Sequence, residues 1–177
     1  QTFLVSGAGG SIGAEITRQL LSSNPKIIIL FELSEYNLFN IERECLAIKE
    51  TKKLDTDIIP ILGDIRDQKL LEQHLPNHDV LIHLACISND PSFELNPTLG
   101  KSINLDAFEP LVKASIKNKI HQFIYASSSS VYGIKEEKNV TEDMSLEPLT
   151  DYSKFKGDCE KILNSYSSDN FVTTTIR

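Results

Sequence analysis

No stretch of the sequence approaches the ~18 consecutive apolar residues of a membrane-spanning helix, so no partnership with a membrane is expected. The opening Gln1-Thr2-Phe3-Leu4-Val5 has neither the basic region nor the cleavage site of a secretory signal. Gln1 stands where an initiator methionine would, which implies a few residues before it. Lysine- and arginine-rich blocks are missing too. With 25 acidic and 18 basic residues the net charge is −7, whereas a phosphate-backbone binder needs a basic surface. Nucleic acid is therefore not an expected partner. Cysteine is scarce: Cys45, Cys86 and Cys159 are odd in number, widely spaced and include no Cys-x-x-Cys pair. That pattern fits reduced thiols in a cytoplasm better than a disulfide framework or a zinc site. His74, His78, His83 and His121 show no metal-ligand spacing either, so no metal is expected and they read as surface or satisfied core residues.

Apolar residues are present in ordinary amount, 40% of 177. A chain of this size makes one domain and buries roughly 70% of its unfolded surface without a staple. Six short apolar runs recur: Phe3–Val5, Ile27–Phe31, Ile58–Leu62, Val80–Leu84, Phe123–Ala126 and Phe171–Ile176. They are nearly continuous rather than alternating, as strands buried on both faces of a parallel sheet would be. Helical patterns separate them. Leu38, Ile41, Cys45 and Ile48 form one apolar stripe, predicting a helix from about Glu35 to Glu50. Ile103, Phe108, Leu111, Val112 and Ile116 form another, in which Pro110 marks either the helix start or a kink. Strands alternating with helices give an α/β fold, a doubly wound parallel sheet of about six strands filling residues 1–177 as one domain. The polar stretch from Ile134 to Thr150 reads as a surface loop.

Of only eight glycines, four lie between residues 7 and 13. Gly7, Gly10 and Gly13 follow the first strand directly and precede a helix, Ile12–Leu21. A sharp turn there lets the backbone approach a pyrophosphate with no Cβ in the way. The helix start at Ser11 and Ile12 then offers free N–H groups and partial positive charge. This is the Rossmann arrangement, and it makes Gly7, Gly10, Ser11, Ile12 and Gly13 candidate dinucleotide-binding residues. Glu32 ends the second strand, 19 residues beyond Gly13, where a carboxylate accepts hydrogen bonds from the adenosine ribose. The same charge would repel a 2′-phosphate, and no Arg or Lys lies between Leu30 and Ile41, so NAD is favoured over NADP. Asp64 and Ile65 after strand three are placed to meet the adenine. Leu84 and Ala85 after strand four complete the candidate cofactor wall.

Tyr152 and Lys156 form Tyr-x-x-x-Lys. On a helix from Thr150 to Tyr166 they face the same way, and an ammonium beside a phenol lowers its pKa toward neutrality, giving a general base for a substrate hydroxyl. Strand five ends in Ala126-Ser127-Ser128-Ser129-Ser130-Val131-Tyr132-Gly133. That places hydroxyls at the carboxyl edge of the sheet, where ligands bind.

These motifs, in this order, resemble the extended short-chain dehydrogenase/reductase family, in particular its nucleotide-sugar epimerases and dehydratases. The resemblance covers essentially the whole chain. It implies NAD as cofactor, with NADP less favoured, a nucleotide-sugar substrate, and Ser128, Tyr152 and Lys156 as the catalytic group. Asn104, in Ser-Ile-Asn-Leu, matches the asparagine that braces the family's active site. The helix carrying Tyr152 is one of two through which family enzymes dimerise, which implies a homodimer. Dehydratases of the family carry Thr-Asp-Glu or Thr-Asp-Lys where this chain has Ser128-Ser129-Ser130, so the resemblance points to epimerisation or simple redox. The N-terminal half is similar to capsule- and O-antigen-type dehydratases, whereas from about Val80 the chain is similar to NAD-dependent sugar epimerases. The seam falls between roughly Leu70 and Leu84, and natural hybrid and deliberate recombination both stay open. Family members continue into a C-terminal part that covers the sugar, so the rival expectation is a domain that holds NAD without turnover.

Overall fold

In the computed structural model, residues 1–76 and 78–177 are described; Asn77, inside the expected seam, lies outside them. Strands β1 (Thr2–Ser6), β2 (Ile27–Glu32), β3 (Asp57–Leu62), β4 (Val80–His83), β5 (Gln122–Ala126) and β6 (Val172–Ile176) form a single sheet ordered β3-β2-β1-β4-β5-β6. Every neighbouring pair is parallel. The intervening helices are α1 (Ser11–Leu21), α2 (Glu35–Lys52), α3 (Gln68–His74), α4 (Asp90–Glu94), α5 (Pro97–Lys101), α6 (Phe108–Lys117) and α7 (Asp151–Ser165).

Alternate residues of the inner strands feed two cores. Phe3, Val5, Ile28, Leu30, Val80 and Ile82 pack with Leu21 of α1 and Leu38, Ile41 and Cys45 of α2. Leu4, Ile29, Phe31, Leu81 and Phe123 pack with Leu71, Phe108, Leu111 and Leu163 from α3, α6 and α7. Helices thus cover both faces, and this explains why the inner strands read as unbroken apolar runs. The two outer runs depart from the expected burial on both faces. Leu62 of β3 is 52% exposed and Ile176 of β6 is 58% exposed, because these strands are the ends of the sheet. Pro60 is tolerated in β3 for the same reason, since an edge strand can lack a ladder donor.

Local signals set the helix ends. The Ser34 side chain accepts from the Asn37 N–H at the start of α2, and Lys53 closes it in the left-handed region at φ 52°. Thr150 and Ser153 form a reciprocal capping box on α7. Pro110 lies in the first turn of α6, so the helix starts near it. Ile103 belongs instead to a π-helical turn, Ser102–Asp106, that immediately precedes α6. Among the described residues no helix is long and apolar enough to cross a membrane.

His83 is one of the core histidines. Its Nδ1 lies 2.8 Å from Ser6 Oγ, and its ring stacks on Tyr125 at 6.0 Å and tilts against Phe108 at 5.6 Å. Burial, reinforced by the nearby Lys156 ammonium, pushes its pKa down to about 3. The unfolded chain takes up this proton near pH 6.5 and the folded chain does not. Between the two pKa values the unfolded state binds more protons, so stability rises with pH and is complete above about pH 6.5. Acidification below that point should cost about 1 kcal/mol per pH unit from this group. Urea unfolding from pH 7 to pH 4 checks this: a His83→Phe variant should show a shallower loss, and an identical slope would refute the assignment.

Candidate active site

The strand order reverses direction between β1 and β4, where ligands bind at the carboxyl ends of such sheets. A cleft of about 520 Å³ opens there, within the usual size of a small-ligand site. Its walls include Gly7, Gly10, Ser11, Ile12 and Gly13 from the first turn, and Glu32 from the end of β2. Asp64, Ile65, Leu84 and Ala85 line it from the exits of β3 and β4, and Tyr152 and Lys156 from α7. One cavity therefore gathers residues from widely separated parts of the chain.

The glycines serve different ends. Gly7 sits at φ +72°, and a Cβ there would come within 2.9 Å of the Ala85 nitrogen. Its own N–H donates to the Phe31 carbonyl at 2.8 Å. A Cβ on Gly13 would run into the Gly7 carbonyl oxygen. Gly9, which the motif does not require, is fixed by the α2 side: a Cβ would lie 2.6 Å from that of Asn37. Gly10 differs, since the nearest atom to its hypothetical Cβ is the Gly7 oxygen at 3.4 Å, an ordinary contact. The chain itself leaves that position open toward the cleft. This is a cradle that a side chain would fill, and it fits a bound pyrophosphate.

Glu32 is only 9% exposed. Its Oε2 accepts from the Gly9 N–H at 3.0 Å, and its Oε1 accepts from Leu33 at 2.9 Å and Ser34 at 3.0 Å. Asp64 is held by the Arg66 guanidinium, with Nη2 at 2.5 Å from Oδ2, and this keeps its carboxyl below the usual range.

At the other end of the cleft, Lys156 is buried and its Nζ donates to the Ala126 carbonyl at 2.8 Å. The ammonium lies 5.8 Å from the centre of the Tyr152 ring and 5.0 Å from that of Tyr125. The expected lowering of the Tyr152 pKa by Lys156 is not met in the chain by itself. Burial raises it, Cys86 and Asp90 act in the same direction, and the nearby Ser128 hydroxyl acts against them. The ammonium is turned to Ala126 O, so desolvation of the phenol prevails.

Ser128 is half-buried, with its Oγ 2.8 Å from Ser130 Oγ, and it caps the short turn Ser129–Tyr132. The cleft wall itself carries the neighbouring Ala126 and Ser127, and the Ser127 hydroxyl donates to Glu160 Oε1. Asn104 grips one backbone unit at both atoms: its Oδ1 accepts from Ile87 N at 2.9 Å and its Nδ2 donates to Ile87 O at 3.0 Å. The π-helical turn around it leaves the Asn104 carbonyl free to accept from Cys159 Sγ at 3.1 Å. Cys159 is itself buried, and its thiol is pushed up to about 12. The braced segment matters because Cys86, Ile87 and Ser88 also line the cleft. Sequence reasoning missed these three, together with Asn37 of α2. Their placement follows from long-range packing; only the clustering of Gly9 with its neighbours hinted at a close approach by α2. Among the described residues no group of three His, Cys, Asp or Glu could hold a metal ion.

The sequence profile described as "Polysaccharide biosynthesis protein" matches residues 3–142. The chain belongs to that family. This polysaccharide biosynthesis family chain is 32% identical to the uncharacterized UDP-glucose epimerase YtcB of Bacillus subtilis, over 92% of its own length and 51% of that protein. It superposes on the UDP-N-acetylglucosamine 4-epimerase of Methanobrevibacter ruminantium, solved with UDP-N-acetylmuramic acid, with a TM-score of 0.82. The identity there is 26%, covering 100% of this chain and 54% of that one. The dTDP-glucose 4,6-dehydratase DesIV of Streptomyces venezuelae, solved with NAD and TYD bound, matches at a TM-score of 0.80 and 25% identity, over 94% and 51% of the two chains. The chain thus spans about half the length of these three proteins. Its expected likeness to nucleotide-sugar epimerases and dehydratases is met by all three.

Proposed function

We propose that this chain binds NAD and provides the redox half of a nucleotide-sugar epimerase, acting by transient hydride transfer at a sugar carbon, C4 in the first instance. The observation that carries the reading is the single cleft that joins the glycine turn and Glu32 to Tyr152 and Lys156. The first set would hold the dinucleotide and the second the reacting hydroxyl.

A bound nicotinamide would supply the hydride acceptor and return the hydride. The chain's own residues would handle the proton. Tyr152 Oη takes it from the sugar hydroxyl, and Ser128, at the head of the Ser129–Tyr132 turn, orients the same oxygen. Lys156 stands close enough to stabilise the phenolate once its ammonium turns from Ala126 O, and it would contact the nicotinamide ribose. Eliminating water would need a further acid and base. Ser129 and Ser130 offer hydroxyls where an acid and base would be required, and this supports epimerisation over dehydration.

NAD is preferred because the Glu32 carboxylate stands where a 2′-phosphate would have to enter, and Arg66 is committed to Asp64. Calorimetric titration should give saturable NAD binding, at least about tenfold weaker NADP binding, and weakened NAD binding in Glu32→Ala. Equal or tighter NADP binding would overturn the cofactor preference. No binding by a demonstrably folded chain would overturn the function.

A further inference from the structure

Glu32 does more than face the cleft. An ionised carboxylate has about four acceptor positions, and three of these are already taken by backbone N–H groups, from Gly9 on one oxygen and from Leu33 and Ser34 on the other. The three donors come from two separate segments. Leu33 and Ser34 follow β2, and Gly9 lies in the first turn, 23 residues earlier. The same two segments are joined by backbone alone one residue before, where Gly7 N and Ala8 N both donate to Phe31 O, at 2.8 Å and 3.3 Å. Glu32 therefore extends a seam between the turn that would meet the pyrophosphate and the turn that would meet the ribose. One acceptor position remains, on Oε2, while a ribose presents two vicinal hydroxyls.

We propose that Glu32 is a positioning residue that fixes the glycine turn through Gly9, and that it couples this turn to recognition of a single ribose hydroxyl. The inference rests on the dinucleotide reading above and adds to it. If Glu32 served only as a ribose acceptor, aspartate would do the same work, since either carboxylate fills that role in dinucleotide folds. In this chain the length of the side chain matters. An aspartate would keep local bonds to the amides one and two residues on, in an Asx-turn arrangement, but it is one methylene too short to reach Gly9 as well.

The test uses Glu32→Asp, which keeps the charge, alongside Glu32→Ala. Amide hydrogen exchange is followed by NMR in the nucleotide-free chain, and NAD is titrated into the same preparations. In Glu32→Asp the Gly9 amide should exchange about tenfold faster or more, as expected for a lost charge-assisted hydrogen bond. Core amides such as Leu4 and Ile29 should stay as protected as in the parent, which separates a local release from general loosening. NAD affinity should fall about tenfold in Glu32→Asp as well. Unchanged Gly9 exchange in both variants overturns the proposal. So does faster exchange with NAD affinity retained in Glu32→Asp, since Glu32 would then read ribose alone. If the parent chain binds no NAD while Gly9 still responds to the variants, the dinucleotide reading fails and the hold on the turn stands.

Discussion

Gly13→Ala should destabilise the fold by about 3 kcal/mol or more, at the upper end of what overpacking costs, whereas Gly10→Ala should leave stability almost unchanged and lose NAD. The contrast comes from what surrounds each position. The Cβ of an alanine at 13 would collide with the carbonyl oxygen of Gly7 and sit 2.9 Å from its carbonyl carbon and 3.0 Å from the Ala8 Cα. All three are backbone atoms, and Gly7 is itself tied to Phe31, so no side chain can swing aside. Gly10 has φ −69° and ψ 167°, which any residue adopts, and its carbonyl would go on accepting from Ala14 N. Its added methyl would meet only the Gly7 oxygen, at an ordinary 3.4 Å, and on the proposed reading it would take up room needed by the pyrophosphate. Urea unfolding and NAD calorimetry on both variants check the prediction. A Gly13→Ala chain as stable as the parent, or a Gly10→Ala chain with undiminished NAD affinity, would contradict it.

Arg177→Met should cost about 3–5 kcal/mol, the penalty of leaving a buried charge without its partner. Glu160 is 2% exposed, and its carboxylate accepts from Arg177 Nε at 3.0 Å and Nη2 at 2.7 Å on Oε2. Its other oxygen accepts from Ser127 Oγ and, at 3.2 Å, from Arg177 Nε. The guanidinium also donates to Tyr132 Oη at 2.8 Å and Glu142 O at 3.0 Å. Removing Arg177 therefore strands Glu160 and loosens the segment that carries Ser127 and Ser128. Replacing both ionic partners with apolar residues, as in Arg177→Met with Glu160→Leu, should recover most of the loss, because no buried charge then remains. Urea midpoints of the parent, the single and the double variant test this. A single variant within about 0.5 kcal/mol of the parent, the range of ordinary surface changes, would refute it.

Much of this architecture was legible because the signals were local. Apolar runs with glycine or polar breaks located all six strands, and spacing placed α2 and α7 within a few residues of their observed ends. The candidate cofactor residues fall on one cleft because strand ends in a parallel sheet converge on one edge. What could not be read was set by pairings distant in sequence. Exposure of β3 and β6 depends on their place at the ends of the sheet, which a run such as Ile58–Leu62 does not encode. The grip of Asn104 on Ile87 depends on a π-helical turn that no periodicity announced. The direction of the Tyr152 shift depended on how deeply α7 packs and on where the Lys156 ammonium turns; the spacing gave only that the two share a helix face.

The neighbours of β1 also bear on how the chain reaches this state. β1 pairs on one side with β2 and on the other with β4, so Ser6 meets His83, 77 positions further along the chain. A hairpin-like nucleus at the N-terminus is ruled out by that geometry, because parallel partners must wait for a long crossover. During synthesis β1, α1 and β2 can associate early. The hydrogen bond from Leu84 N to Ser6 O cannot form until β4 has left the ribosome. Such non-local pairing slows folding, since loop closure must precede the contacts that reward it. The half-built sheet meanwhile presents the free edge of β1, which makes the interval before β4 arrives the stage at which this chain is most exposed to aggregation.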